Sequence, residues 1–237
     1  MSPATAYLNP LFFAVLPYVA MVLFFVGTIH RYRNETFTYS SLSSQLLENK
    51  QHFWALVPFH YGIITVTAGH LIAFMIPRGI LLWNSRPLRL YVLEVSALIF
   101  GISTLVGLVA LIMRRLTDPR VKVVTSRADW FLYALLLLQV FTGVYVAIFH
   151  RWGSSWFAAS AAPYLWSLLK LNPEINVIAA MPFMVKVHIV NAWLVIGFFP
   201  FTRLVHILVV PNQYFFRRRQ VVRWYRRPDR VAAAQRS

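Results

Sequence analysis

Long apolar stretches dominate the chain, and short polar segments separate them. A membrane helix needs about 20 apolar residues, because it rises about 1.5 Å per residue across roughly 30 Å of hydrocarbon. Five stretches meet that length, at approximately 8–30, 53–76, 90–113, 129–150 and 183–210. The pattern therefore predicts an all-α integral membrane bundle of five transmembrane helices.

Two prolines affect the shape predicted for the first and fifth spans. The first stretch contains Pro17, which a membrane helix can accommodate. It has no basic region before it and no small-residue cleavage site after it, so we expect a retained helix rather than a cleaved signal peptide. The fifth stretch contains Pro200, which predicts a kink or a stepped end.

Composition agrees with a membrane protein. Hydrophobic residues make up 59% of the chain and charged residues 13%, about half the charged share of a soluble domain. The net charge is +16, but the basic residues lie mostly between the spans and in the tail, which indicates anionic lipid or partner proteins and not nucleic acid. Because the chain has no cysteine, disulfides and cysteine-ligated iron–sulfur clusters are excluded.

The distribution of basic residues predicts the orientation. With the N-terminus outside, the inner loops and tail hold 16 Lys and Arg and the outer segments hold 6, while Arg203 lies within the fifth span. This bias places the N-terminus outside and the C-terminus in the cytoplasm. The outer segment 151–182 is rich in Trp and Tyr, and we expect it to lie on the membrane surface.

Four histidines lie inside apolar spans: His60 and His70 in the second, His188 and His206 in the fifth. Ionisable side chains at membrane depth are costly and mark function, and these two spans contain no carboxylate that could pair with them. A neutral imidazole is a good haem-iron ligand. The pattern therefore predicts two b-type haems.

Depth determines which histidines can pair. The two spans run in opposite directions, so His60 can match only His206, on the inner side, and His70 only His188, on the outer side. The separations along the helices differ, about 15 Å for the first two histidines and about 27 Å for the last two, so tilt or an irregularity at Pro200 must absorb the offset.

The alternative for any single histidine is a hydrogen bond to a neighbouring helix or a place beside a water-filled cavity. The other histidines, His30, His52 and His150, lie at helix ends, where interfacial solvation is a sufficient explanation.

Several motifs together support a family resemblance. They are Pro17-Tyr18, Arg31-Tyr32, Ser43-Ser44-Gln45-Leu46, Phe59-His60-Tyr61-Gly62-Ile63, Gly69-His70, Arg114-Arg115-Leu116, Pro119-Arg120-Val121, Phe199-Pro200-Phe201-Thr202-Arg203-Leu204-Val205-His206, Pro211 and Tyr214. With them the chain resembles the gamma subunits of respiratory nitrate reductases, the di-haem cytochrome b subunits that anchor the molybdopterin (alpha) and iron–sulfur (beta) subunits. The resemblance implies a multi-pass protein of a prokaryotic inner membrane, with a di-haem domain at 1–210 and a basic cytoplasmic tail at 211–237.

The resemblance also implies roles for individual residues. His60 and His206 correspond to the ligands of the proximal haem iron, and His70 and His188 to those of the distal haem iron. Quinol would be oxidised near the distal haem, and electrons would pass through the proximal haem to the iron–sulfur subunit. Gly69 and His70 match the family's quinol pocket. Arg89 stands where the family has a lysine, a departure because arginine is bulkier, flatter and harder to deprotonate.

Some alternatives stay open. Arg203 could bind a haem propionate or could be an interfacial arginine whose head group reaches water. The partner complex could be another quinone-linked reductase, for example one of sulfur metabolism. A non-redox transporter or anchor, with histidines forming a proton relay, would require acidic partners and would bind no haem.

Overall fold

The computed structural model describes residues 3–34 and 50–208, with side chains for residues 7–34 and 54–208. Within those ranges the chain is helical and contains no strand. Five helices are long and apolar enough to cross a membrane, and we number them first to fifth: Tyr7–Asn34, Trp54–Met75, Pro87–Thr117, Arg127–Phe149 and Phe183–Phe201. The predicted five-helix bundle is confirmed. The basic tail and the motif residues at 43–46, 211 and 214 lie outside the described residues.

Several of these helices are longer than their apolar cores or are divided. The first consists of Pro3–Pro10, a π-helical turn Leu11–Val15 and Leu16–Asn34, and the second runs over Lys50–Met75. The fifth consists of Phe183–Phe198 and the 3-10 segments Phe199–Phe201 and Arg203–Leu208. Short helices connect the spans: Pro77–Asn84, Pro119–Val123, Gly153–Trp156, π-helical Phe157–Ala161, Ala162–Leu169 and Asn176–Ala179.

The starts of these helices follow from local sequence. Pro77, Pro87 and Pro119 each open a helix, where a missing N–H costs nothing. The fourth helix begins with a capping box, in which the Ser126 side chain accepts from the Asp129 N–H and the Asp129 carboxylate accepts from the Ser126 N–H.

The membrane helices pack in the order second, third, fourth, fifth, first. The second and third approach closely at Gly62 and Gly107; an added Cβ at Gly107 would lie 2.5 Å from the Phe59 nitrogen. Small residues permit such close approach between membrane helices. The second and fifth helices, which carry the histidines, are not among the closely packed pairs. In this order of packing the second and fifth helices are not neighbours.

The fifth helix is broken at Pro200. Regular α-helix ends at Phe198, a 3-10 turn follows, and Thr202 is extended (φ −119°, ψ 175°) before the second 3-10 segment begins. The kink expected at Pro200 is confirmed. His206 consequently lies on a separate segment and not on a continuation of the helix that carries His188.

Residues 151–182, which we call the cap, fold back onto one end of the bundle. Tyr164 is 2% exposed, and its hydroxyl donates to the Phe13 carbonyl at 2.7 Å. Burial raises the pKa of the Tyr164 phenol, so this donor keeps its proton. The Trp166 indole donates to the Phe74 carbonyl at 3.0 Å. Small and aromatic residues of the cap pack against the first and fifth helices, in one buried cluster with Phe13, Ala20 and Trp193. The position of this segment on the membrane surface stays a prediction.

Candidate functional site

The structure brings together the histidines that depth matching pairs. The ring centroids of His60 and His206 are 6.4 Å apart, and those of His70 and His188 are 6.5 Å apart. The His70–His188 pair lies toward the cap, where the Phe157 ring contacts His70 edge-on at 5.3 Å. The His60–His206 pair lies toward the opposite end.

These two distances fit haem iron. A metal–imidazole bond is about 2 Å long and the bound nitrogen lies about 1.1 Å from its ring centroid, so two imidazoles on opposite faces of one iron have centroids about 6 Å apart. No group of three or more His, Asp or Glu that could hold a metal occurs among the described residues. A haem needs only two protein ligands, because the porphyrin supplies the other four.

Hydrogen bonds orient three of the four rings. The Nδ1 atoms of His60, His70 and His206 lie 3.0, 2.8 and 2.6 Å from the carbonyl oxygens of Leu56, Val66 and Arg203. A carbonyl can only accept, so each Nδ1 must carry the proton and each Nε2 keeps its lone pair. Metal-binding histidines typically make this kind of bond with the nitrogen that does not bind the metal.

His188 reaches side chains of the fourth helix instead. Its Nδ1 lies 3.0 Å from the Thr142 hydroxyl oxygen, and the Gln139 amide nitrogen lies 3.2 Å from its Nε2. Asn191 in turn donates to the Gln139 amide oxygen at 2.7 Å. Gly143 makes room for the ring, since an added Cβ would lie 3.0 Å from the His188 Cε1. The histidine pattern alone does not point to these polar residues; the sequence signal that does is the presence of Gln139 and Thr142, three residues apart, inside an otherwise apolar span.

The break at Pro200 explains how both histidine pairs form, although the two histidines of the fifth helix are farther apart in sequence than the two of the second helix. On a continuous helix His206 would lie about 27 Å from His188 along the axis, while its partner His60 is only about 15 Å from His70. The extended Thr202 redirects the chain, which brings His206 level with His60. The sequence predicts that tilt or an irregularity at Pro200 absorbs this offset, and the structure has the irregularity at that position.

Arg203 is held by the fourth helix and the loop before it. Its Nε lies 3.2 Å from the Asp129 carboxylate, and its Nη2 donates to the Val124 carbonyl at 3.0 Å. These contacts fasten the segment that carries His206. The binding of a haem propionate by Arg203 stays a prediction.

The quinol candidates lie toward the cap. An added Cβ at Gly69 would meet no protein atom within 4 Å, so the helix surface beside His70 is open. Arg89 lies in the first turn of the third helix, with its guanidinium carbon 5.4 Å from the Trp83 ring centroid, and its carbonyl accepts from the Trp83 indole at 3.2 Å. A contact of Gly69 or Arg89 with quinol stays a prediction.

The other described histidines have local partners. The His30 ring is 3.0 Å from the amide nitrogen of Asn34 at a helix end, and the N–H of His150 closes the end of the fourth helix by donating to the Val146 carbonyl. The side chain of His52 lies outside the described residues.

Comparison with known proteins identifies the family. A family model described as nitrate reductase gamma subunit matches residues 9–225. The chain is 32% identical over 207 residues to the nitrate reductase gamma chain of Bacillus subtilis, covering 86% of this chain and 92% of that one. It is 30% identical over 222 residues to the respiratory nitrate reductase 2 gamma chain of Escherichia coli, covering 92% and 97%. The respiratory nitrate reductase 1 gamma chain of the same organism is also 30% identical over 222 residues, covering 92% and 98%. With its five apolar helices, the chain belongs to the nitrate reductase gamma subunit family and is a membrane subunit of that oxidoreductase.

Proposed function

We propose that this chain is the quinol-oxidising, di-haem b subunit of a respiratory nitrate reductase. It takes electrons from quinol at the cap end and delivers them at the opposite end to a cytoplasmic iron–sulfur subunit, which passes them to a molybdopterin subunit where nitrate is reduced. The observation that carries the proposal is the pair of ring distances, 6.4 and 6.5 Å, each joining a histidine of the second helix to one of the fifth.

Each histidine pair has an assigned haem. His60 and His206 hold the proximal haem, and His70 and His188 hold the distal one. When bound, the two haems supply one-electron centres at two depths of the membrane. The task of the protein is to hold each pair of imidazoles at a fixed distance, with Nδ1 bound to protein and Nε2 turned toward the iron.

Quinol oxidation is assigned to the neighbourhood of His70. Gly69 leaves the helix surface open there, and Arg89 supplies a cation that can donate to a quinone oxygen. Because this end is the outer side in the proposed orientation, the protons of quinol leave on the outer side.

The basic end of the bundle is assigned to the cytoplasm. Arg114, Arg115, Arg120 and Arg127 lie at the end opposite the cap, where the positive-inside rule places cytoplasmic loops. They and the basic tail would meet anionic lipid and the iron–sulfur subunit. The five apolar helices and the family support a multi-pass protein of a prokaryotic inner membrane.

The non-redox alternative has less support from the contacts. A proton relay requires carboxylate partners, but among the described residues the rings of the four membrane histidines bond carbonyl oxygens, the Thr142 hydroxyl and the Gln139 amide. A different quinone-linked reductase would share the haem chemistry. Neighbouring genes for a molybdopterin subunit and an iron–sulfur subunit of nitrate reductase would distinguish these complexes.

The decisive test is a reduced-minus-oxidised spectrum of the purified protein with quantitation of haem. We expect two b-type haems per chain, both reducible by quinol. Replacement of His60 or His206 by Ala should remove the proximal haem alone, and replacement of His70 or His188 the distal haem alone. One haem in the wild type, or loss in a different pairing, would contradict the proposal.

A further inference from the structure

His188 differs from the other three paired histidines in how its Nδ1 is bound. His60, His70 and His206 bond backbone carbonyls three or four residues earlier in their own segment. His188 instead bonds the side chain of Thr142, which lies 46 positions away on the fourth helix. A side chain of a different helix therefore orients the His188 ring, whereas backbone carbonyls orient the other three rings.

The Thr142 hydroxyl is placed to accept a hydrogen bond from His188 while it donates to its own helix. It donates to the Leu138 carbonyl at 2.7 Å and lies 3.1 Å from the Gln139 carbonyl, and neither carbonyl can donate to it. With the single hydroxyl proton on this backbone bond, a lone pair faces the His188 Nδ1 at 3.0 Å. In this arrangement the proton of the neutral imidazole is on Nδ1, and the Nε2 lone pair is left for a metal.

Gln139 restrains the same ring from a second direction. Its amide nitrogen is 3.3 Å from Nδ1 and 3.2 Å from Nε2. The ring carbon Cε1 lies between the two ring nitrogens, so an amide nitrogen placed in the ring plane at those two distances would overlap Cε1. The Gln139 amide therefore lies over the face of the ring. It does not occupy the in-plane lone pair of Nε2.

Asn191 determines which way the Gln139 amide points. Its Nδ2 donates to the Gln139 Oε1 at 2.7 Å and to the Leu135 carbonyl at 2.9 Å. Asn191 is 2% exposed and Thr142 is 1% exposed, so these two members of the network are buried, while Gln139 and His188 are half-buried. Buried polar networks of this kind specify one geometry, because a broken member leaves an unsatisfied group.

We infer that Thr142 is a positioning residue for the distal haem, holding His188 as the Nδ1–H tautomer with Nε2 toward the iron, while Gln139, anchored by Asn191, limits rotation of the ring. The inference rests on the proposed function, because it presupposes that His188 is an axial ligand. An acceptor on Nδ1–H makes an imidazole a stronger electron donor, which favours the ferric state.

Thr142→Val tests the inference, since it removes the hydroxyl at nearly constant volume. In the membrane-bound complex, redox titration should show the potential of the distal haem shifted to a more positive value and that of the proximal haem unchanged. The low-spin ferric EPR signal of the distal haem should also move, because the ring loses its restraint. Thr142→Ser keeps the hydroxyl and should restore both properties.

Thr104→Val is the matched control. Thr104 is also 1% exposed, and its hydroxyl also donates to the carbonyl four residues earlier, Phe100, at 2.7 Å, but it faces Gly62 and not a histidine. Its substitution should leave both potentials as in the wild type. If Thr142→Val does not assemble, Thr142→Ala removes the same acceptor without an added methyl group.

The outcomes separate this inference from the proposed function. An unchanged distal potential and EPR signal in Thr142→Val or Thr142→Ala would overturn the role of Thr142, even with two haems present and His188 required for one of them. A shift of equal size in the potential of the distal haem in Thr104→Val would also overturn the role of Thr142. Absence of the distal haem from the wild type would instead refute the proposed function.

Discussion

Gly143 determines how closely the fourth helix approaches the His188 ring. An added Cβ would lie 3.0 Å from the His188 Cε1, closer than ordinary van der Waals contact. The ring would have to give way by a few tenths of an ångström, but Thr142 and Gln139 hold it on the same side. A single methyl group here should therefore disturb the ring that is proposed to bind the distal haem.

We expect Gly143→Ala to alter the EPR signal of the distal haem or to lower its occupancy, with the proximal haem unaffected. Gly101→Ala is the control, because its Cβ would make only an ordinary contact, 3.5 Å from the Val144 Cγ2. Haem quantitation and EPR of the two variants check this. Identical spectra in Gly143→Ala and the wild type would show that the ring has room to move.

Arg89 offers a prediction about quinol. A charged hydrogen bond to a quinone oxygen is worth about 1.5–3 kcal/mol, so Arg89→Ala should lower kcat/KM for quinol by about 10-fold to 100-fold while both haems remain. Loss of the exposed cation–π contact with Trp83 should cost only about 0.5–1 kcal/mol of stability.

Arg86→Ala separates this role from simple anchoring at the interface. Arg86 is an exposed arginine just before the same helix. Steady-state quinol oxidation and inhibitor binding should change in Arg89→Ala and not in Arg86→Ala. Equal effects, or none in either variant, would make Arg89 an interfacial arginine.

At the scale of elements, the decisive feature is the end of the fifth helix. Pro200 and the extended Thr202 interrupt the helix, and the Arg31 side chain of the first helix donates 2.7 Å hydrogen bonds to the carbonyls of both. These carbonyls lie where the helix breaks, so they need a partner from another element. The first helix thereby positions the segment that carries His206.

Arg31→Gln should consequently disturb the proximal haem and spare the distal one. Loss of charged hydrogen bonds to two carbonyls costs about 1.5–3 kcal/mol each, which frees the 3-10 segment of His206. Haem quantitation and redox titration should show lower proximal occupancy or a shifted proximal potential. Arg33→Gln, at an exposed position of the same helix end, is the control, and an equal effect there would contradict this role.

At the scale of the whole molecule, the packing order separates the second and fifth helices and leaves their histidines facing each other at two depths. The pair near the cap is assigned to electron entry and the other pair to exit. The two depths thus imply an order of electron transfer that kinetics can test.

The direction of transfer predicts different kinetics for the two classes of histidine variant. Without the distal haem, as in His70→Ala, quinol should reduce nothing downstream. Without the proximal haem, as in His206→Ala, quinol should still reduce the distal haem, but electrons should not reach the partner subunit. Stopped-flow reduction distinguishes the two, and the same behaviour in both classes would contradict the order.

Much of this architecture could be predicted from local sequence. The five spans follow from the length of apolar stretches, because crossing hydrocarbon requires about 20 apolar residues whatever the neighbouring helices are. The break at Pro200 follows from the missing N–H of proline. The identity of the four histidines follows from the cost of an ionisable group at membrane depth.

Other features were decided only by the tertiary structure. The direction of the chain after Thr202, and with it the level of His206, depends on Arg31 and Arg203, whose partners lie on other helices or loops. The bond from Thr142 to His188 joins positions 46 residues apart, and it depends on the rotation of two helices that hydrophobic periodicity does not set when apolar residues surround both. The packing of the cap likewise depends on partners such as Phe13, 151 positions from Tyr164. Local sequence determines which segments enter the membrane, but contacts between distant segments determine which side chains meet there.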